Sequence, residues 1–332
     1  FDAESVTELT PKQLNDYDVV IVNMQGVVSN EEGAAVAEFV KGGGGFIGGM
    51  TGWAFDQTSG GKDLAVFHGL NQAIMAAGVA ITDMSAFDNL RRFEARFELP
   101  QMMNASDAIA SIKKQREGGP AIDAAAMKQG TNAIQLAMAS QPPGRNNLQI
   151  AVLAALGNAG TDSAIPTKQA PLTSDKHATQ RLRLGMETRV LRLASGEGIA
   201  PHPAHEVFPG KVAPDAKRIT GEVQVIPSIN GWTSTGLYAA AGETITVTLP
   251  ENLADKGYAV RIGCHSDTLY HLDKWERAPD ITRSVPLTTS TTEMSSAFGG
   301  LIYIEVPSRA KDDATFTATI QNGVHALSLI HI

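Results

Sequence analysis

Hydrophobic and polar residues alternate in different ways along this chain, and each pattern predicts a different kind of element. Tyr17–Met24 is a short, β-branched apolar run, typical of a buried parallel strand. The stretch that follows has apolar residues at helical spacing, and it predicts a helix capped by Ser29 or Asn30. Gly42 or Gly43 would end this helix, and the apolar run GFIGGM after it predicts a second strand. Strand, helix and strand together predict one parallel crossover unit.

The pattern changes twice further along the chain. Residues 101–217 are rich in Ala and Gln at helical spacing, which predicts a helical spacer ending in a proline-rich linker. From about residue 218, short segments such as ITVTL and TFTATI alternate apolar and polar residues between turn signals. This spacing predicts an antiparallel β-sandwich or jelly roll. The predicted domains are therefore an α/β domain over residues 1–100, the spacer and linker, and a β-sandwich over residues 218–326.

Composition narrows the class of protein. The 332 residues are 43% hydrophobic and 19% charged with a net charge of −8, as in ordinary globular domains. No apolar run approaches the roughly 20 residues that span a bilayer. Lys and Arg do not cluster densely, so we expect no nucleic-acid partner. The sole cysteine, Cys264, excludes an intrachain disulfide framework and a cysteine-based zinc cluster within this chain.

Two short motifs resemble known sites but lack the required context. The glycines from Gly43 to Gly48 match G-x-G-x-x-G, yet a helix precedes and a strand follows them, the reverse of a dinucleotide site. We interpret them as a structural turn. The only His-Glu pair is His205-Glu206, and the position that needs the second His of H-E-x-x-H holds Pro209. We therefore assign no zinc role to this pair.

The β region holds the remaining candidates. His265 and Asp267 could form half of a metal site or an acid–base pair, although a hydrogen bond that orders the turn explains them more simply. Cys264 is best explained as a small buried residue. Trp232 and Trp275 could stack on sugar rings, with packing in the core as the alternative. The residues support no catalytic group and no metal ligand in this chain.

A resemblance to a known family rests on residues Gly231 to Pro307. The elements W-x-S-T-G-L-Y, A-G-E-x-I-T-V, R-I-G-C-H-x-D and F-G-G-L-I-Y-I occur together there. In combination they resemble the start of the peptidase region of the enhancin-like zinc metallopeptidases, peptidase family M-60. The α/β region is similar to class-I glutamine-amidotransferase-like domains, but it has no Cys, so we expect no amidotransferase activity.

The resemblance implies a secreted or cell-surface bacterial endopeptidase that acts on glycoproteins such as mucins. Its zinc would be held by an H-E-x-x-H helix and a later Glu, downstream of the part present here, so this fragment is expected to be inert. A non-enzymatic glycan- or protein-binding module that has lost the zinc motif is the alternative.

Both ends of the chain are expected to be cut. The chain begins with Phe1, and residues 327–332 (LSLIHI) resemble translated read-through of a sequencing adapter. We therefore expect real protein to about Ala326, and the strand TFTATI to lack its partner.

Overall fold

The computed structural model describes residues 2–25, 29–59, 64–75, 77–82, 102–142, 147–157, 164–194, 198–310 and 314–326. The chain divides into two compact units, Phe1–Ala155 and Leu156–Ile332. This boundary falls inside the segment predicted as a spacer, because the last helix of that segment packs on the β-strands that follow it. Residues 327–332, predicted to be adapter read-through, lie outside the described residues.

The first unit contains the predicted crossover. Strands β1 (Val19–Asn23) and β2 (Gly45–Gly49) pair in parallel, with Val19 opposite Gly45. The helices described in or starting in this unit are α1 (Pro11–Leu14), α2 (Asn30–Lys41), α3 (Ala54–Ser59), α4 (Leu64–Phe67), α5 (Gly69–Met75), α6 (Ala105–Arg116), α7 (Ala124–Ala139) and α8 (Asn147–Leu156). Helix α2 is the crossover between the two strands.

Local sequence explains where α2 begins and ends. Ser29 is the N-cap: its hydroxyl accepts from the backbone N–H of Glu32, and the Glu32 side chain accepts from the N–H of Ser29 in return. The helix ends at Lys41, and Gly43 follows with φ of +102°. Such a positive φ favours glycine, so the predicted stop is confirmed at Gly43.

The prediction that β1 is fully buried was wrong. Val20 faces the core of this unit and is 7% exposed, whereas Val19 and Ile21 on the other face are 50% and 75% exposed. On β2, Ile47 is 58% exposed. The core on the covered face consists of Leu14, Val20, Met24, Ala35, Val36 and Leu70. Because a parallel strand usually carries apolar residues on both faces, the sequence alone does not show which face is covered by other elements.

The second unit is dominated by one eight-stranded antiparallel system. Its strands are β4 (Ile219–Val225), β5 (Gly231–Ala239), β6 (Ile245–Thr248), β7 (Ala259–Ile262), β9 (Arg283–Pro286), β10 (Thr291–Met294), β11 (Gly300–Val306) and β12 (Phe316–His325). The order is β10-β6-β12-β5-β11-β7-β9, and β4 also pairs with β12. Strands β3 (Leu172–Thr173) and β8 (Lys274–Trp275) form a separate two-stranded antiparallel sheet.

Strand β12 joins the two halves of this sheet system. Its first part pairs with β4 and β6, and its last residues pair with β5. The register shifts between Ile320 and Gly323, where Asn322 has φ of +64°. The expectation that this strand lacks a partner was therefore wrong, because its partners all precede it in the chain.

The core of the sandwich follows from the period-two pattern. Strand β11 alternates buried and half-buried residues along its whole length. Buried side chains from both halves meet in one cluster, which includes Leu237, Val247, Val260, Ile304 and Ile320. The mixed α/β organisation with a large antiparallel β-sheet system is thus as predicted.

Helix α9 (Ala178–Leu193) belongs to the β unit. Leu184 packs in a second core with Trp275 and Phe298. Arg181, only 3% exposed, donates to the backbone carbonyls of Leu272 and Asp273 at 2.8 and 3.1 Å. An arginine held by main-chain carbonyls binds the helix to the segment before β8, which explains why the unit boundary precedes α9.

Candidate functional site

A group of aromatic and polar side chains lies on the outer face of four neighbouring strands. It consists of Trp232 on β5, Arg261 on β7, Ser284 on β9, and Tyr303 and Glu305 on β11, and we call it the Trp232 surface. Strand register places Glu305 opposite Trp232, Tyr303 opposite Arg261, and Arg261 opposite Ser284. Because side chains alternate between faces, all five point away from the sandwich core.

Trp232 is the exposed centre of this surface. Its side chain is 50% exposed. The Arg261 guanidinium carbon lies 3.9 Å from the Trp232 ring centroid, within the range of a cation–π contact. The Tyr303 ring lies 5.6 Å from it at an interplanar angle of 50°. The indole is therefore supported on two sides while much of its area stays open to solvent.

An ion pair fixes the position of Arg261. Its Nη1 donates to Glu305 Oε1 at 2.8 Å, and its Nε donates to the backbone carbonyl of Gly263 at 3.1 Å. The Ser284 hydroxyl donates to the other Glu305 oxygen at 2.6 Å. Both partners of the ion pair are mostly buried, with side chains 12% and 24% exposed. Because both carboxylate oxygens accept hydrogen bonds, Glu305 is held in place and orders the guanidinium of Arg261 beside the indole.

Tyr303 connects the surface to the cysteine. Burial raises the pKa of Tyr303 above its ordinary value of 10.0, and a hydrogen bond with Cys264 adds to the effect. The phenol therefore stays protonated at neutral pH and offers a neutral hydroxyl. The arrangement as a whole suits the binding of a ligand with both a flat apolar face and hydroxyl groups, since it combines an aromatic ring with fixed polar groups.

Trp275, the other predicted glycan contact, is corrected by the structure. It is fully buried, and its Nε1 donates to the backbone carbonyl of Leu269 at 2.7 Å. The guanidinium of Arg181 lies 4.6 Å from its ring centroid. A ring with a buried polar edge and a covered face is a core residue, so no sugar can stack on it without unpacking the unit.

The predicted His-Asp interaction in the turn after β7 does not form as a hydrogen bond. Asp267 pairs with Arg277, and the His265 ring packs edge-on against Phe208 at 4.7 Å. Burial lowers the pKa of His265 below 6.5, and the nearby Arg277 lowers it further. His265 is therefore neutral at physiological pH. Asp267, the partner that the sequence suggested for His265, pairs with Arg277 instead.

The described residues do not fit a zinc centre. No three His, Cys, Asp or Glu side chains among them lie close enough together to hold a metal ion. His205 and Glu206 lie in a short 3-10 helix, Pro203–Glu206, and Glu206 pairs with Lys211 at 2.9 Å. The described residues therefore supply no ligand set for the zinc that the resemblance implies.

Sequence reasoning found Trp232 but missed its supporting residues. Arg261, Tyr303 and Glu305 occupy the outward positions of AVRI and GLIYIEV, so period-two alternation could have marked them as exposed. Their meeting depends on the strand order β5-β11-β7, which the sequence does not give. Strand β5 itself was not predicted as a strand, because GWTSTGLYA is rich in Gly, Ser and Thr.

Comparison with known proteins identifies the β unit. Residues 214–321 match the family model described as the N-terminal domain of M60-like peptidases. Over these residues the chain resembles an M60-like N-terminal domain. The matched residues include all four strands that carry the Trp232 surface.

Curated relatives of the chain are longer proteins. TRPM8 channel-associated factor 3 of Rattus norvegicus is 39% identical over 97 residues, which are 29% of this chain and 10% of that protein. TRPM8 channel-associated factor 2 of Homo sapiens is 28% identical over 299 residues, 84% of this chain and 30% of that protein. The chain thus spans less than a third of the length of these relatives.

Among solved structures, the IMPa metallopeptidase in complex with T-antigen aligns with 95% of this chain and 38% of its own, at 12% identity and a TM-score of 0.37. The IMPa metallopeptidase from Pseudomonas aeruginosa gives 13% identity and a TM-score of 0.36, covering 96% of this chain and 38% of its own. TM-scores at this level do not establish a shared fold. Separately, no described helix has the length and apolar character to cross a membrane.

Proposed function

We propose that this chain is part of a zinc metallopeptidase that acts on glycoproteins such as mucins, and that its M60-like domain contacts substrate glycan through the Trp232 surface. The family match supports the peptidase assignment. The observation that carries the glycan role is the half-exposed indole of Trp232, held between Arg261 and Tyr303. A supported indole stacks on the C–H face of a sugar ring at little entropic cost, because its rotamer is already fixed.

In this proposal the zinc and its ligands lie in a part of the protein outside this chain. We infer that the first unit has an amidotransferase-like fold without amidotransferase activity, which its parallel β1–β2 pair and lack of Cys support. A secreted or cell-surface location in a bacterium also belongs to the proposal. It rests on the resemblance to the M-60 family alone.

A second candidate function is a non-enzymatic protein- or glycan-binding module. Proteins named TRPM8 channel-associated factors match up to 84% of this chain, and that name describes association with a channel. This supports an interaction role for the same domain in a protein that has lost the zinc motif.

Glycan binding by the Trp232 surface can be tested with a glycan array and a matched control. We expect the wild-type chain to bind O-linked glycans weakly and Trp232→Ala to lose the signal. Trp53→Ala is the control, because Trp53 is similarly exposed, at 47%, but lies in the first unit. A flat array for the wild type, or equal loss in both variants, would reject the glycan role.

A further inference from the structure

The four strands that carry the Trp232 surface contain few charged residues. Across the described strands β5, β7, β9 and β11 there are three, Arg261, Arg283 and Glu305. Arg283 is 4% exposed and donates to the backbone carbonyl of Ala194 at 2.7 Å. Since neighbouring residues of a strand point to opposite faces, Arg283 lies on the inner face of β9. The charge of the Trp232 surface therefore comes from Arg261 and Glu305.

These two side chains neutralise each other. Nη1 of Arg261 donates to Oε1 of Glu305 at 2.8 Å, and the two side chains are 12% and 24% exposed. Neutral groups also contact the pair. The Ser284 hydroxyl donates to Oε2 of Glu305 at 2.6 Å, and Nε of Arg261 donates to the carbonyl of Gly263 at 3.1 Å. The ion pair therefore has no net charge, although each of its charges is fixed in position.

The ion pair lies within electrostatic reach of a ligand on the indole. The Arg261 guanidinium carbon is 3.9 Å from the Trp232 ring centroid, and Glu305 is the residue opposite Trp232 on β11. Directly opposite residues of an antiparallel pair have Cβ atoms roughly 5 Å apart. At physiological ionic strength, charges act over about 8 Å before salt screens them. A sugar stacked on the open part of the indole is therefore affected by any imbalance between the two charges.

Neutral and acidic sugars interact differently with such a surface. A neutral hexose or N-acetylhexosamine stacks through its C–H face and brings no charge to the ring. A sugar with a carboxylate, such as a sialic acid, brings an anion to a place where the arginine is already paired. That carboxylate would lose water without gaining a free cation, and it would lie near the carboxylate of Glu305. Both effects disfavour the acidic sugar.

We propose that Glu305 is a specificity-determining residue that makes the Trp232 surface select neutral sugars over sugars that carry a carboxylate. Glu305 does so by neutralising Arg261 while it holds the guanidinium beside the indole. This inference rests on the proposed function, because it specifies the class of glycan that the same surface binds.

An array of paired O-linked glycans, in which the two members differ only by a terminal sialic acid, tests this selectivity. The measured quantity is the ratio of the sialylated to the neutral signal, and for the wild-type chain we expect it to be below one. Glu305→Gln leaves Arg261 without its anion, so the ratio should rise roughly two- to fivefold. The rise should disappear in about 1 M salt, where charges are screened beyond about 3 Å.

A second variant reverses the sign of the effect. Arg261→Gln leaves Glu305 without its cation, so the ratio should fall below that of the wild type. A general loosening of the surface would move the ratio in the same direction in both variants, whereas a charge effect moves it in opposite directions. Glu293→Gln is the matched control, because it removes an exposed carboxylate of β10, outside the Trp232 surface, and should leave the ratio unchanged.

The outcomes separate this inference from the proposed function. A wild-type chain that binds the sialylated members more strongly would overturn the selectivity. Ratios that stay constant, or that shift in the same direction in Glu305→Gln and Arg261→Gln, would overturn the role of Glu305 while glycan binding stands. A wild-type array that is flat for both members of every pair would reject the proposed function, and the inference with it.

Discussion

The two tryptophans of the β unit have the same side chain but opposite degrees of exposure to solvent. Trp232 and Trp275 are both tryptophans of the β unit, yet one is 50% exposed and the other is fully buried. Each indole is accompanied by an arginine, Arg261 and Arg181 respectively. The first pair leaves an open aromatic face for a ligand, whereas the second closes a core.

This difference predicts unequal effects of the same substitution. We expect Trp275→Phe to lower the free energy of unfolding by about 2 kcal/mol, because it removes a buried hydrogen bond and leaves a cavity. Trp232→Phe should change it by less than about 0.5 kcal/mol, because the position is at the surface. Urea denaturation of both variants measures this. Equal losses would show that the two environments are not as described.

At the scale of elements, charged side chains help to attach helix α9 to the rest of the β unit. Arg181 donates to carbonyls before β8, Arg192 pairs with Asp280, and Arg283 donates from β9 to the carbonyl of Ala194 at 2.7 Å. Arg283 is 4% exposed. A helix held in this way depends on buried cations as well as on its apolar face, since the carbonyls they satisfy have no water to replace them.

Replacing Arg181 tests this attachment. Arg181→Met keeps the length of the side chain but removes the donors to Leu272 and Asp273, and we expect a loss of about 3 kcal/mol. Gln180→Met, at the exposed neighbouring position, is the control and should change stability little. Thermal and urea unfolding of the two variants give the comparison. A mild Arg181→Met phenotype would mean that apolar packing alone holds α9.

For the whole molecule, the sequence predicted the kinds of element well and their partners poorly. The crossover β1-α2-β2 and most strands of the sandwich follow from periodicity, since a buried face imposes it on each element separately. Strand β5 and the buried Arg181 of α9 were missed because neither has an apolar signature. The placement of Trp275 could not be decided, since tryptophan is common both in cores and in ligand sites.

At this scale we expect the chain to be catalytically inert. The described residues offer no zinc ligand set, and the proposed function places the metal elsewhere in the protein. Metal analysis of the purified chain should find no stoichiometric zinc, and incubation with mucin should give no cleavage products. Zinc bound at one ion per chain, or peptidase activity that a chelator abolishes, would contradict this expectation.

The sequence by itself determined the class and order of the elements, the match of residues 214–321 to M60-like domains, and the exclusion of an intrachain disulfide framework. These depend on local periodicity and residue type. Only the tertiary structure decided which tryptophan is exposed, which arginine supports it, and that Asp280 is buried beside Arg192. Those outcomes depend on strand order and register, which bring together residues such as Trp232, Arg261 and Glu305 that are far apart in the chain.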